Sequence, residues 1–116
     1  MVVLGIDIGT TLVRAGMVDQ HGAILASRTI PTPNDLEAFV PALHDAVGWL
    51  LEATGQPAGI GIGCKGTINP DTTQVEILMG PLHFLQGLRL MDLVGLPLDI
   101  PVFADNSARV ATPLIL

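Results

Sequence analysis

At 116 residues, with eleven acidic and five basic side chains and a net charge of −6, the chain is one domain's worth of polypeptide and too acidic for a nucleic-acid surface, so no direct nucleic-acid contact is expected. Hydrophobic residues make up 49% and charged residues 14%, yet no apolar run approaches the ~20 residues of a membrane span. The single cysteine, Cys64, excludes an intramolecular disulfide, and the N-terminus lacks the pattern of a signal peptide, so a cytoplasmic location with no membrane partner is expected.

The first element is an apolar run, Val2-Val3-Leu4, that leads into Gly5-Ile6-Asp7-Ile8-Gly9-Thr10-Thr11. Leu12 to Val18 reads as a second strand, Asp19-Gln20-His21-Gly22 as a turn, and Ala23 to Ile30 as a third strand. A strand, a Gly/Thr turn and a strand make a phosphate cradle. Small residues let the backbone approach an anion, amides and hydroxyls donate to it, and Asp7 can hold a metal ion through water. A plain hairpin turn would also use a glycine, but it needs no aspartate at the end of a buried strand.

Asn34 can cap a helix from about Asp35 to Thr54 that stops at Gly55. Its apolar face is Leu36, Phe39, Val40, Leu43, Val47, Leu50 and Leu51, and Pro41 inside it predicts a kink or a delayed start. Ala58 to Cys64 is a glycine-interrupted strand, whose glycines suggest close approach of another backbone or a helix. A loop from Lys65 to Asp71, a short strand from Gln74 to Leu78, a short helix from Leu88 to Val94 and a last strand from Ile100 to Ala104 follow. Asp105-Asn106-Ser107 then reads as a helix start, where capping alone accounts for all three residue types. The order of elements predicts an α/β domain with a mixed sheet. His21 and His44 are expected at the surface, His83 in a loop, and Cys64 as a buried small side chain rather than a nucleophile. The apolar end Pro113-Leu114-Ile115-Leu116 suggests the N-terminal part of something longer, or a lobe that another copy covers as a homodimer.

The ordered set of motifs resembles the N-terminal lobe of the ROK family of bacterial sugar kinases and sugar-responsive repressors. The resemblance rests on Gly5 to Thr11, on Pro31-Thr32-Pro33 after the third strand, and on Ile60-Gly61-Ile62-Gly63-Cys64-Lys65-Gly66-Thr67-Ile68-Asn69. It rests also on Gln86-Gly87-Leu88 and on Val102-Phe103-Ala104-Asp105-Asn106-Ser107-Ala108-Arg109, and so covers essentially the whole chain. It implies a ribonuclease-H-like, actin-like ATPase fold: a three-strand meander plus further strands in a mixed sheet with helices packed on it. Residues 1–116 would be the first lobe of a kinase using ATP and Mg2+ on a small sugar, with the second lobe outside this sequence. On that resemblance Asp7, Gly9, Thr10 and Thr11 hold phosphates, Asp7 the metal, and Gly66 and Asn106 face the sugar.

Four positions depart from the family's pattern. Thr10 stands where a second glycine is usual, and Leu12 replaces a basic or amide residue, which removes one phosphate contact. Lys65 stands where proline precedes the loop glycine, and Pro81 takes the place of a sugar-contacting asparagine. The catalytic segment leaves two alignments open. Matching Asn106, Ala108 and Arg109 puts Ser107 at the catalytic base; a shift of one residue puts Asp105 there. The implied alternatives are therefore a kinase lobe and a non-catalytic, sugar-sensing relative of the repressors.

Overall fold

The structure is a computed structural model that describes residues 1–94 and 100–106. Three strands open the chain, β1 (Val2–Ile8), β2 (Leu12–Asp19) and β3 (Ile24–Pro31), and the helix α1 (Leu36–Thr54) follows. Then come β4 (Gly59–Cys64), the short pair β5 (Thr67–Ile68) and β6 (Val75–Ile77), a 3-10 turn at His83–Leu85, α2 (Leu90–Val94) and β7 (Val102–Asn106). Five strands form one mixed sheet in the order β3-β2-β1-β4-β7, and β5 and β6 form a separate ribbon. Within the sheet β2 runs antiparallel to both β1 and β3, while β1, β4 and β7 run parallel to one another.

Period-two alternation decides which residues enter the core. Ile6 pairs with Ala15 on β2 and with Ile62 on β4, and Ile8 pairs with Val13 and Cys64. All of these side chains are buried. α1 lies against β2 and β3 and contributes Phe39, Leu43, Ala46, Val47 and Leu50 as its buried residues, most of the predicted apolar face. Emptying one such leucine site to alanine costs about 2–5 kcal/mol in a packed core. The opposite rows of the sheet carry a different pattern, Gly5 paired with Gly16 and Gly61, and Asp7 belongs to that second face.

Several boundaries differ from the sequence reading. Asp35 rather than Asn34 caps α1: its backbone is extended and its Oδ1 accepts the Ala38 N–H at 2.9 Å. Both residue types cap well, and Asp35 is the one whose carboxylate meets the third helical amide. Pro41 lies inside α1 without delaying its start at Leu36. The amide that proline lacks would have bonded the carbonyl of Glu37, an exposed residue in the first turn. α2 begins at Leu90, not Leu88, because the Leu88 carbonyl accepts the Val75 N–H at 2.9 Å. β5 replaces part of the expected loop.

The largest change concerns β7. It continues through Asp105 and Asn106, paired with Gly63 and Cys64, where a helix cap was expected. Pairing with β4 over its full length overrides the local preference of Asp and Asn for caps. Ser107, Ala108, Arg109 and the apolar end at Pro113–Leu116 lie outside the described residues.

Candidate functional site

The parallel strands β1, β4 and β7 place their carboxyl ends along one edge of the sheet, the edge beyond which open α/β sheets bind ligands. Gly9-Thr10-Thr11 follows β1 and Lys65-Gly66 follows β4 at that edge. Just before the edge the strand register forms a transverse row, Thr29, Arg14, Asp7, Gly63 and Asp105, one residue from each strand of the sheet. Register partners share a face, so Asp7 and Asp105 share one as well. Two strand spacings separate their backbones, roughly 10 Å. The residue between them is a glycine, so β4 puts no side chain between the two acids.

The turn after β1 is tightly specified. The Gly9 N–H donates to the Leu12 carbonyl at 3.0 Å, and a Cβ at position 9 would lie 2.7 Å from that same oxygen. Gly9 therefore contributes shape, and its own amide is already engaged. Thr10 and Thr11 are exposed, and their amides and hydroxyls donate to nothing among the described residues. These are the donors left for an anion.

Thr32 holds the turn from outside. Its Oγ1 donates to the Gly9 carbonyl at 2.8 Å, and its N–H donates to the Thr11 carbonyl at 2.9 Å. The prolines on either side fix Thr32 as it leaves β3. The bracing role of Thr32 depends on a contact 23 residues away.

Asp7 is half-buried, and its Oδ1 is wholly buried with no hydrogen-bond partner among the described residues. A buried carboxylate oxygen without a partner is costly, so this atom is suited to meet a cation or a water. No group of three His, Cys, Asp or Glu side chains is gathered for a metal among the described residues. One carboxylate fits Mg2+, which keeps several waters and takes its remaining ligands from phosphate oxygens.

The other predicted residues are distributed as follows. Gly66 has φ +90°, and a Cβ there would run into the Ile77 carbonyl oxygen, so packing alone requires this glycine. Asn106 ends β7 in register with Cys64, and Ser107 lies outside the described residues. Lys65 and Pro81 are exposed. His83 is exposed, but its Nδ1 lies 2.8 Å from the Leu78 carbonyl; a carbonyl can only accept, so the proton sits on Nδ1 and the ring closes its own loop. His44, also exposed, donates in the same way from Nε2 to the Leu93 carbonyl at 2.7 Å and ties α1 to α2. Cys64 is fully buried, and burial, with the Asp7 charge adding to it, pushes its thiol up to about 11. It stays protonated at neutral pH and is no nucleophile.

The model of the ROK family matches residues 3–113. The chain belongs to the ROK family. Its five-stranded mixed sheet with packed helices is that of the actin-like ATPase structures of ROK proteins. The chain is 32% identical over 108 residues to a glucokinase of Streptomyces coelicolor, covering 93% of this chain and 33% of that protein. A ROK family glucokinase from Streptomyces griseus, solved in complex with glucose and AMPPNP, superposes with a TM-score of 0.75 at 30% identity, over 91% of this chain and 33% of that one. A ROK family transcriptional regulator, homologous to the E. coli MLC protein, shares the fold with a TM-score of 0.73 at 18% identity, over 90% of this chain and 27% of its own. The chain thus spans about a third of the length of these ROK proteins and resembles the N-terminal part of the sugar kinases among them. No helix among the described residues is long and apolar enough to cross a membrane.

Proposed function

We propose that this chain is the N-terminal lobe of an ATP-dependent sugar kinase that moves the γ-phosphoryl group of ATP to a hydroxyl of a hexose or hexose derivative. The observation that carries this reading is the shared row of Asp7 and Asp105 beside the braced Gly9–Thr11 turn. Thr10 and Thr11 donate to phosphate oxygens. Asp7 holds Mg2+, which when bound supplies positive charge against the phosphates. Asp105 accepts the proton of the sugar hydroxyl as that oxygen bonds to phosphorus and the bond to the ADP oxygen breaks. Gly66 and Asn106 border the sugar. Ser107, the other candidate for the base, cannot take a proton at neutral pH without a base of its own. A second lobe, or a second copy of the chain, would complete the nucleotide and sugar sites, so turnover is not expected from this chain alone.

A second reading is a sensor that binds sugar without phosphorylating it. Exposed Pro81, which offers no side-chain hydrogen bond where the family presents asparagine to the sugar, favours it. Isothermal titration of the chain with Mg-ATP, and separately with hexoses and N-acetylhexosamines, separates the two. The kinase lobe is expected to bind both ligands. Asp7→Asn should weaken Mg-ATP, and Asp105→Asn the sugar, each by roughly 10- to 100-fold, the range for a hydrogen bond to a charged group. Sugar binding with no response to Mg-ATP would establish the sensor, and no heat with either ligand, from the folded chain and again from the chain joined to its second lobe, would sink the kinase reading.

A further inference from the structure

β3 is the outer strand of the sheet, and six of its eight residues are exposed. The ladder shows which backbone groups face away from β2. The Thr32 N–H donates to the Thr11 carbonyl, and in an antiparallel pair the hydrogen-bonded positions recur at every second residue. Ile30, Arg28 and Ala26 therefore bond inward, opposite Val13, Ala15 and Met17. Pro31, Thr29 and Ser27 turn their backbone groups outward, and a proline is tolerated on an edge strand in that orientation. Among the described residues, the outward N–H and carbonyl groups of Ser27 and Thr29 have no backbone partner.

Little protects this edge. A bulge displaces Leu25 near the hairpin tip, but Ala26 to Pro31 pair in unbroken register. Arg28 is the one charged residue of the strand, and its guanidinium lies 5.0 Å from the ring centre of Trp49 on α1, which is itself exposed.

The two faces beside the edge differ in charge. Arg14 pairs with Thr29 and Gly16 with Ser27, so these four share a face. There Arg14, Ile24, Ser27 and Thr29 line a cavity of about 100 Å³, and Gly16 has no side chain to fill it. Arg14 is exposed and joins no salt bridge among the described residues. On the opposite face Arg28 already has Trp49, and Asp45 and Glu52 stand one helical turn to either side of that ring. That face suits an apolar neighbour better than a further acid.

We propose that the free edge of β3 binds an extended peptide by strand addition, one whose side chains alternate between acidic and apolar. Ser27 and Thr29 supply the main-chain bonds, the acidic side chains meet Arg14 over the cavity, and the apolar ones lie against Trp49. An added strand lies two spacings from β2, roughly 10 Å, a gap that an arginine and a glutamate close from opposite sides. Charge argues for this occupant: the chain carries −6 overall, yet β3 has no acid. The site is separate from the turn after β1 and does not depend on its reading.

Trp49, the only tryptophan, reports binding by its fluorescence. The chain, alone and joined to its second lobe, is titrated with acetyl-Thr-Val-Glu-Val-Glu-Val-Thr-amide and with versions carrying glutamine or lysine in place of both glutamates. The glutamate peptide should bind roughly 10-fold more tightly than the glutamine peptide, and the lysine peptide more weakly still. Arg14→Ala should abolish the preference for glutamate. Thr29→Pro, which deletes an outward donor and leaves the ladder to β2 intact, should weaken all three peptides, and Asp7→Asn should change none. In wild type, bound glutamate peptide should slow hydrogen exchange at the Ser27 and Thr29 amides, a measurement that decides the matter even if Thr29→Pro does not fold. No binding by either form, equal affinity for the three peptides, or binding that leaves those two amides unprotected would each overturn the proposal. Protection of the same amides that grows with protein concentration and without peptide would overturn it too, and would assign the edge to a second copy of the chain.

Discussion

The hydroxyl of Thr32 braces the turn that follows β1. Valine has the same outline without the donor, so Thr32→Val would leave the Gly9 carbonyl without its 2.8 Å bond. The expected cost is about 1 kcal/mol of stability, with weaker Mg-ATP binding and recovery of both in Thr32→Ser; urea denaturation and titration check this, and an unaltered valine variant would show that the brace is dispensable. The turn itself was legible beforehand. Asp7, Gly9, Thr10 and Thr11 stand out because small residues next to an aspartate at a strand end have few structural reasons to occur together. The brace from Thr32 was not legible, because it rests on the Gly9 carbonyl 23 residues away and a linear pattern does not state such a contact.

At the scale of elements, types were readable and ends were not. The long period of apolar residues from Leu36 to Leu51 made α1 plain, whereas Asn34 and Asp35 are both good caps and only geometry separates them. Asp35→Ala should therefore lower stability by about 1 kcal/mol and Asn34→Ala by much less, measured by chemical denaturation of each variant. Equal losses would mean that the two residues share the cap. β7 shows the opposite failure. Asp105 and Asn106 have the local chemistry of a helix start, but their pairing with Gly63 and Cys64 makes them strand. Tertiary pairing moved Asp105 from the expected cap to the sheet face it shares with Asp7.

For the whole molecule, the two faces of one sheet divide the work. Hydrophobic rows built on Ile6 and Ile8 face the core, and the row through Asp7 and Asp105 carries the polar chemistry. Cys64 ends the core row, and its thiol is raised from an ordinary 9.0 to about 11, first by burial and then by the Asp7 charge. In the unfolded chain the thiol ionises near its ordinary value while the folded protein still holds the proton. Stability from this group is thus complete below about 9 and falls as pH rises towards 11. Denaturation midpoints measured across that window should decline less steeply in Cys64→Ala than in wild type; parallel slopes would mean that the thiol does not titrate with unfolding.

The bond from Thr32 to Gly9 closes a span of 23 residues, and everything between them is the β2–β3 hairpin. Opening that hairpin releases Thr32 and with it the turn, so ligand affinity and the integrity of the meander are thermodynamically linked. A phosphate compound held at the turn at one hundred times its Kd would raise the free energy of opening by about 2.7 kcal/mol. Protease sensitivity at the distant hairpin tip, Asp19 to Ala23, would then report on occupancy of a site at the far end of the same strands.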